Sequence, residues 1–451
     1  MLRINPFSFP EDIHVLEHLD RLVEIFNVCW PMYAAMPAVL KKAVELAYID
    51  AGWDLVLSKN SFDRKLLPCF SDVMNNVLKV IDESEYSEEN KGNYKGALVT
   101  RLKSLTNGIN GMIFTNEDIS DKDFFDKNVI VDLSRVGSTE TKSLIMGILV
   151  MKLQEYRMTS GKLNAALSHI TVLEEAHNLL KRTSTEQSTE MANLIGKSVE
   201  MLANSIAEMR TYGEGFIIAD QSPGLLDMSV IRNTNTKIIM RTPDFSDREL
   251  VGKAAGLNDD QIIEIGKLPL GVAAVYQNDW IEPVLCKVNH FPVPDNRYEY
   301  IAQKYFNNDS LKFRIRLVKY LLSNAVKEKI DEDIDDLKEK ILASNILAYD
   351  KKNILKLLSL NTLPDTLENL QGLIASLHID SVKIAISAIE KSDNPRELNH
   401  LIAEKIQPNL FEYDEHYQAV ILQCIINECA KSKKELSEIP GSWIEFMHHG
   451  R

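Results

Sequence analysis

The chain has 451 residues, 45% hydrophobic and 26% charged, which is the composition of a globular protein with more than one domain. Its formal net charge of −14 argues against a surface coated for nucleic acid, although a local basic channel is compatible with that charge. No membrane span, secretory signal or CxxC pair occurs, so we expect a cytoplasmic protein without membrane contact, zinc site or disulfide framework.

The first 115 residues are predicted to be mainly helical. Apolar residues recur at helical spacing from Leu16 to Phe26 and again over about 37–49. Residues 70–108 are also helical in pattern, but the charged, glycine-containing stretch IDESEYSEENKGNYKG interrupts them. We interpret about 15–115 as a helical insertion.

A strand is predicted at Val129–Ser134, followed by an apolar helix at about 139–157. The turn between them, GSTETKS at 137–143, ends in Lys-Ser as a phosphate-binding loop does. Such a loop requires GxxxxGK[ST], however, and Thr141 stands in place of the second glycine. A well-capped helix start is therefore favoured over a degenerate phosphate loop. A complete phosphate loop occurs nowhere in the sequence.

Two adjacent acids follow the apolar run Ile170–Leu173, which is predicted to be a central parallel strand buried on both faces. These acids are Glu174 and Glu175. Open α/β sheets bind ligands at the carboxyl ends of their strands, and side-chain alternation sends the two carboxylates in different directions. One carboxylate could then hold a metal while the other faces a water. Taken alone, the pair could also be a solvated strand end.

A long amphipathic helix at 191–210 leads into a second apolar strand, Phe216–Ala219, which is followed by Asp220 and Gln221. The helix ends in Arg210, a residue that the helix dipole alone would also favour there. Further strands are predicted at 237–241, 271–276 and 283–288, with helices at about 246–255 and 259–265. This alternation predicts a parallel α/β sheet.

From about residue 298 the pattern becomes almost continuously helical. Few glycines interrupt it, and we expect five to seven helices. The predicted architecture is therefore an α/β domain at 1–295 followed by an all-α C-terminal domain at 296–451.

Several separated blocks of sequence resemble the HerA subgroup of the HerA/FtsK superfamily of hexameric DNA-translocating ATPases. The blocks keep the family's order and together cover about residues 1–290; they are LRINPF at the start, VIVDLSRVGSTETKSLIMGILVMKLQEYR at 129–157, LEEAH at 173–177, EMRTYGEGFIIADQSP at 208–223 and LPLGVAAVY at 268–276. The resemblance implies a RecA-like, mostly parallel sheet that uses ATP and Mg²⁺. It also implies a homo-oligomeric, hexameric ring that moves duplex DNA, with a nuclease or an anti-phage effector as partner.

The resemblance also implies roles for single residues. Glu174 would coordinate Mg²⁺ at the Walker B position, and Glu175 would be the catalytic glutamate. Gln221 would sense the γ-phosphate, and Arg210 would reach the neighbouring subunit's site. The family's usual Walker B acid is aspartate, so Glu174 departs from the pattern by one methylene. We expect Glu174, Glu175 and Gln221 to line an open cleft and Arg210 to point away from it.

The absent phosphate loop is the larger departure from the family. In the family this loop lies upstream of the LRINPF block, so we expect an N-terminally shortened form or a subunit that depends on another polypeptide. ATP hydrolysis by this chain alone should then be negligible. The alternative is a catalytically inert RecA-like scaffold. An in-frame GxxxxGK[ST] upstream of Met1 would favour the shortened ATPase, and a stop codon there would favour a scaffold or a split system.

Lys181, Arg182 and Lys197 flank the loop after the acid pair. We predict that these cations contact DNA in the pore of a ring, and a solvated face is the competing interpretation.

Overall fold

The computed structural model describes residues 2–182, 189–292, 308–359, 363–392, 394–406, 410–432, 442–443 and 445. The chain divides into two compact units. The first comprises Met1–Ile49, Trp53–Lys59 and Cys69–Tyr300, and the second comprises Asp50–Gly52, Asn60–Pro68 and Ile301–Arg451. The boundary predicted at 295/296 falls in the stretch 293–307, which lies outside the described residues.

The N-terminal region is helical, as the apolar periodicity predicts. On its first helix Leu19, Leu22 and Phe26 are fully buried, which places the predicted apolar stripe against the rest of the unit. The elements are α1 (Val15–Cys29), α2 (Met36–Asp50), the short strands β1 (Trp53–Asp54) and β2 (Lys59–Asn60), α3 (Phe70–Asp82), α4 (Glu88–Thr106), α5 (Gly108–Ile113) and α6 (Asp121–Phe125).

Helix α7 (Thr139–Ser160) is buried along much of its length. It packs against α1 and against the two 3₁₀ turns at Ala176–Asn178 and Met209–Tyr212. It begins where the Ser138 side chain accepts a hydrogen bond from the backbone N–H of Thr141, so the capped start predicted for this turn is confirmed. Gly147 allows close packing, because a Cβ atom there would lie 2.7 Å from Ile25 Cγ2 and 3.2 Å from Leu179 Cδ1.

Two strands of the first unit pair in parallel. These are β3 (His169–Glu174) and β4 (Glu214–Ala219), in a register that runs from His169 opposite Glu214 to Glu174 opposite Ala219. Parallel neighbours need a crossover connection, which α8 (Thr189–Glu208) and a following 3₁₀ turn at Met209–Tyr212 supply. Gly213 closes that turn with a φ of +80°, a conformation that glycine adopts without steric cost.

A fully buried carboxylate at the start of β4 ties these strands to α7. Glu214 accepts hydrogen bonds from Arg157 Nε at 2.9 Å, from Thr171 Oγ1 at 2.7 Å and from the His169 ring at 2.8 Å. Arg157 Nη1 also donates to Asp126 Oδ1, and Asp126 directly follows α6. Because these hydrogen bonds satisfy its oxygens, the Glu214 side chain can be buried without an unpaired polar atom.

Two sequence-based expectations about the strands are wrong. The segment predicted as a buried strand at Val129–Ser134 forms no strand, and Ile130 is 95% exposed. The run Ile170–Leu173 does form β3, but Ile170 is 47% and Val172 55% exposed, so the strand is covered on one face only. Among the described residues Val129–Ser134 has no strand to pair with, whereas β3 is paired but exposed on one face.

The remainder of the first unit is also mixed α/β. Its elements are α9 (Met228–Asn233), β5 (Thr236–Ile239), α10 (Phe245–Ala254), α11 (Asp259–Ile265), β6 (Val272–Gln277) and β7 (Val284–Lys287). β5, β6 and β7 form an antiparallel sheet, whereas β3 and β4 pair in parallel. A mostly parallel, RecA-like sheet therefore stays a prediction.

In the second unit the described residues from 308 onward form helices around one apolar core. They are α12 (Asn308–Val326), α13 (Ile334–Ala343), α14 (Ala348–Ser359), α15 (Gln371–Leu377), α16 (Ile379–Lys391), α17 (Pro395–Lys405) and α18 (Glu415–Ser432). Within the described parts of the chain, no single helix has the length and apolar character to cross a membrane; Gln371–Leu377 and Ser381–Lys391, which are sharply bent, pass that test only as a pair.

Candidate functional site

The carboxyl ends of β3 and β4 bring the predicted acids and glutamine to one edge. Glu174 and Ala219, the last residues of β3 and β4, lie opposite each other in the register. Glu175 therefore follows β3 at the same edge of the strand pair where Asp220 and Gln221 follow β4. Glu174, Glu175 and Gln221 are all exposed at this edge. The placement follows directly from the parallel pairing, because strands that run in the same direction end at the same edge.

The acid pair is held in a strained turn. Glu175 has a φ of +49° and a ψ of +47°, a left-handed conformation that is uncommon for a residue other than glycine. It starts a short 3₁₀ turn at Ala176–Asn178, in which Asn178 Nδ2 donates to the Glu175 carbonyl at 3.1 Å. Such strain persists where the surrounding structure holds it, and it concentrates at functional sites.

Asp220 and His177 connect the two strand ends, and sequence reasoning assigned neither of them a role. One oxygen of the nearly buried Asp220 carboxylate accepts from the His177 backbone N–H at 2.9 Å and from the His177 ring Nδ1 at 2.8 Å. The other oxygen accepts from the Ser222 backbone N–H at 2.9 Å. The carboxylate therefore fixes the turn after β3 against the turn after β4. The register places Asp220 at this edge, but the sequence carries no signal for the histidine contact.

The structure does not bring Arg210 to the acid pair. Arg210 lies in the 3₁₀ turn before β4 and is exposed, whereas Gln221 follows the opposite end of the same strand. A six-residue strand spans roughly 20 Å, which separates the arginine from the edge that holds Glu174. The direction in which the Arg210 side chain points stays a prediction.

The three predicted DNA-contacting cations are all exposed. Lys181 forms an isolated antiparallel β-bridge with Leu226, and the Arg182 backbone N–H donates to the Leu225 carbonyl. Lys181 and Arg182 therefore lie just beyond the edge of the site. Residues 183–188, which continue this loop, lie outside the described residues. Lys197 is on α8, next to Ser198, which hydrogen-bonds Glu24 of α1.

The acid pair could hold Mg²⁺ only together with ligands from elsewhere. Carboxylate oxygens are the donors that this cation prefers, and Mg²⁺ usually binds through one or two carboxylates, with waters and substrate phosphates completing its octahedron. Across the described part of the chain, no three His, Cys, Asp or Glu side chains are arranged to hold a metal. Glu174 and Glu175 therefore offer carboxylate oxygens, and the role of Glu174 as an Mg²⁺ ligand stays a prediction.

An apolar cavity in the first unit lies away from the acid pair. Its volume is only about 40 Å³, and its lining is mostly apolar: Leu180, Ala203, Ile206, Ala207, Ile218, Val230, Asn233 and Thr234. Two cysteines of the second unit offer no reactive thiol, since burial raises the pKa of Cys424 to about 12 and that of Cys429 to about 11.

Comparison with known proteins confirms the resemblance to HerA. The chain is 24% identical over 221 residues to the DNA double-strand break repair helicase HerA of Sulfurisphaera tokodaii, covering 48% of this chain and 42% of that protein. It is 25% identical over 218 residues to the protein of the same name from Sulfolobus acidocaldarius, with the same two coverages. The corresponding protein of Saccharolobus solfataricus is 21% identical over 213 residues, covering 46% of this chain and 41% of that one.

No family model matches the chain. Among solved structures, the structure of VirB4 of Thermoanaerobacter pseudethanolicus superposes with a TM-score of 0.43 and 14% identity over 64% of this chain and 74% of that one. The matched stretches span less than half the length of the curated relatives.

Proposed function

Given its sequence relationship to HerA helicases, we propose that the chain is the ATPase-core portion of a HerA-like, ring-forming DNA translocase. The observation that carries this proposal is the meeting of Glu174, Glu175 and Gln221 at one edge of a parallel strand pair. Hydrolysis of a nucleoside triphosphate needs an acid that holds Mg²⁺, a group that orients the attacking water, and a residue that senses the γ-phosphate.

The chain's own residues divide these tasks. Glu174 would hold Mg²⁺, which would neutralise phosphate charge when it is bound with ATP. Glu175, whose backbone lies in the left-handed turn, would accept a proton from the attacking water. Gln221 would contact the γ-phosphate and report its loss. The bond from His177 to Asp220 would keep the two strand ends at a constant spacing during turnover.

Arg210 would act on a neighbouring subunit. Its exposed position at the far end of β4 supports insertion into an adjacent active site, where its charge would offset the charge that develops on the transferred phosphoryl group. This role requires a ring, and we propose a hexamer that encloses duplex DNA and acts with a nuclease or an anti-phage effector. The names of the relatives, which are helicases of double-strand break repair, support DNA as the substrate.

A hydrolysis measurement tests the proposal. Because the sequence contains no phosphate loop, we expect the purified chain alone to hydrolyse ATP no faster than its Glu175→Gln variant. In the assembled protein that includes a phosphate loop, the same substitution should lower DNA-stimulated turnover by about 10²- to 10⁴-fold, the usual contribution of a positioned base.

Two outcomes would contradict the proposal in different ways. Turnover by the chain alone that Glu175→Gln abolishes would show that the phosphate cradle lies within these residues. An assembled protein whose turnover is unchanged by Glu175→Gln would remove the catalytic role. The competing candidate is an inert RecA-like scaffold, which predicts no DNA-stimulated turnover in any assembly.

A further inference from the structure

The side-chain amide of Asn178 lies against Glu175. Its Nδ2 atom is 3.1 Å from the Glu175 carbonyl oxygen and 3.4 Å from Glu175 Oε2. An amide nitrogen donates hydrogen bonds, whereas a carbonyl oxygen and an ionised carboxylate accept them, so the two groups match. Among the described residues, Asn178 is the side chain that hydrogen-bonds the Glu175 carboxylate. Asn178 has no task of its own in the proposed function.

The turn that carries Asn178 is anchored on several sides. The Asn178 backbone N–H donates to the Glu175 carbonyl at 2.9 Å, and Ala176 and Leu179 are fully buried. From α7, Ser143 Oγ donates to the Asn178 carbonyl. Ser143 ends the GSTETKS turn, and its hydroxyl binds the backbone of the turn that Glu175 begins. These contacts fix the backbone of Asn178, so its side chain reaches Glu175 from a constant position.

Glu175 needs a restraint of this kind if it acts as a base. Its side chain is exposed, and a free glutamate side chain samples several rotamers. A general base must lie within roughly 2.6–3.2 Å of the group whose proton it takes. Catalytic hydrogen bonds are often longer before the substrate is bound and shorten in its presence, so a contact of 3.4 Å is suited to this task.

The chemistry of an amide also suits the task. A cation next to a carboxylate stabilises its ionised form and so weakens it as a proton acceptor. A neutral amide adds no full charge and restrains the carboxylate through a hydrogen bond. Asn178 can therefore orient Glu175 and still leave it able to accept a proton.

We propose that Asn178 is a positioning residue of ATP hydrolysis, whose amide restrains the Glu175 carboxylate in the orientation from which it accepts a proton from the attacking water. The inference rests on the proposed function, because it requires Glu175 to be the base. In this role Asn178 acts through Glu175 and not on the nucleotide. Its substitution should therefore matter only while the Glu175 carboxylate is present.

A double-mutant cycle in the assembled protein that includes a phosphate loop tests this assignment. Asn178→Ala should lower the kcat of DNA-stimulated ATP hydrolysis by about ten-fold, a part of the roughly 10²- to 10⁴-fold that a positioned base contributes. The KM for ATP should stay within about two-fold of the parent value. In the Glu175→Gln background the same substitution should change the residual turnover by less than about two-fold, because the carboxylate is already absent.

Two further variants and a binding measurement complete the test. Asn178→Asp keeps the shape of the side chain but replaces the donor with a carboxylate that repels Glu175, so it should lower kcat more than Asn178→Ala does. The matched control is Asn278→Ala, at an exposed position directly after β6, which should leave kcat unchanged. Equilibrium binding of ATP, measured in the Glu175→Gln background, should not change on Asn178→Ala.

Each other result overturns the assignment. An equal loss of turnover in both backgrounds would mean that Asn178 supports the fold, and weaker ATP binding would assign it to the nucleotide. An unchanged kcat, or an Asn178→Asp variant at least as active as Asn178→Ala, would show that the amide donor does not hold the base. Failure of the proposed function looks different, because Glu175→Gln would then leave the turnover of the parent assembly unchanged.

Discussion

Asp220 illustrates what the sequence predicts at the scale of single residues. The positions of Glu174, Glu175 and Gln221 at one edge follow from two apolar runs and the rule that parallel strands end together. The contact between Asp220 and His177 does not follow from that rule. It depends on the left-handed conformation of Glu175, which turns the chain so that the histidine faces the end of β4. A non-glycine residue carries no sequence signal for that conformation.

Replacing Asp220 with alanine should destabilise the first unit by about 1–3 kcal/mol, because the loss of the buried carboxylate would leave two backbone N–H groups and a histidine ring without their acceptor. Urea unfolding measures the change. The control Asp279→Ala, at an exposed position, should stay within about 0.5 kcal/mol of the parent protein. Equal stabilities for the two variants would mean that Asp220 does not hold the strand ends together.

At the scale of elements, the sequence predicts where strands and helices form better than it predicts what covers them. In the run at 170–173, Ile170 and Val172 make the outer face apolar, which indicates that this face requires cover but not which segment provides it. The same limit explains Val129–Ser134, where β-branched residues predict a strand that lacks a hydrogen-bonding partner among the described residues. Helix α7 was predicted more completely, because its cap and its apolar positions are local features.

Two helical glycines give opposite predictions. Gly147→Ala should destabilise the protein by about 1–3 kcal/mol, because the new methyl group would lie 2.7 Å from Ile25 and overpack the contact between α1 and α7. Gly96→Ala on α4 meets no atom within 4 Å and should stabilise by up to about 1 kcal/mol through helix propensity. Thermal unfolding measures both changes. A stabilising Gly147→Ala would show that Ile25 can move aside at little cost.

At the scale of the whole molecule, the net charge and the proposed function give opposite expectations for DNA binding. The net charge of −14 lowers the expectation of DNA binding, whereas the proposed function requires it. The two are compatible if DNA meets only a small basic region inside a ring. Bulk charge is a property of the whole surface, and it does not report where a few exposed cations lie.

A salt titration of duplex-DNA affinity with the assembled protein tests whether Lys181, Arg182 and Lys197 form that region. Replacing all three with glutamine should weaken binding and lower the slope of log affinity against log salt by up to about 2.7, since each phosphate contact contributes roughly 0.9. The control replaces three exposed lysines elsewhere, Lys103, Lys162 and Lys312. Both triple variants change the formal net charge from −14 to −17, a difference of 3, so bulk repulsion from DNA increases equally in the two. A slope that changes in the first variant only locates the DNA contact at these cations. Unchanged affinity across the titration would assign the three side chains to a solvated face.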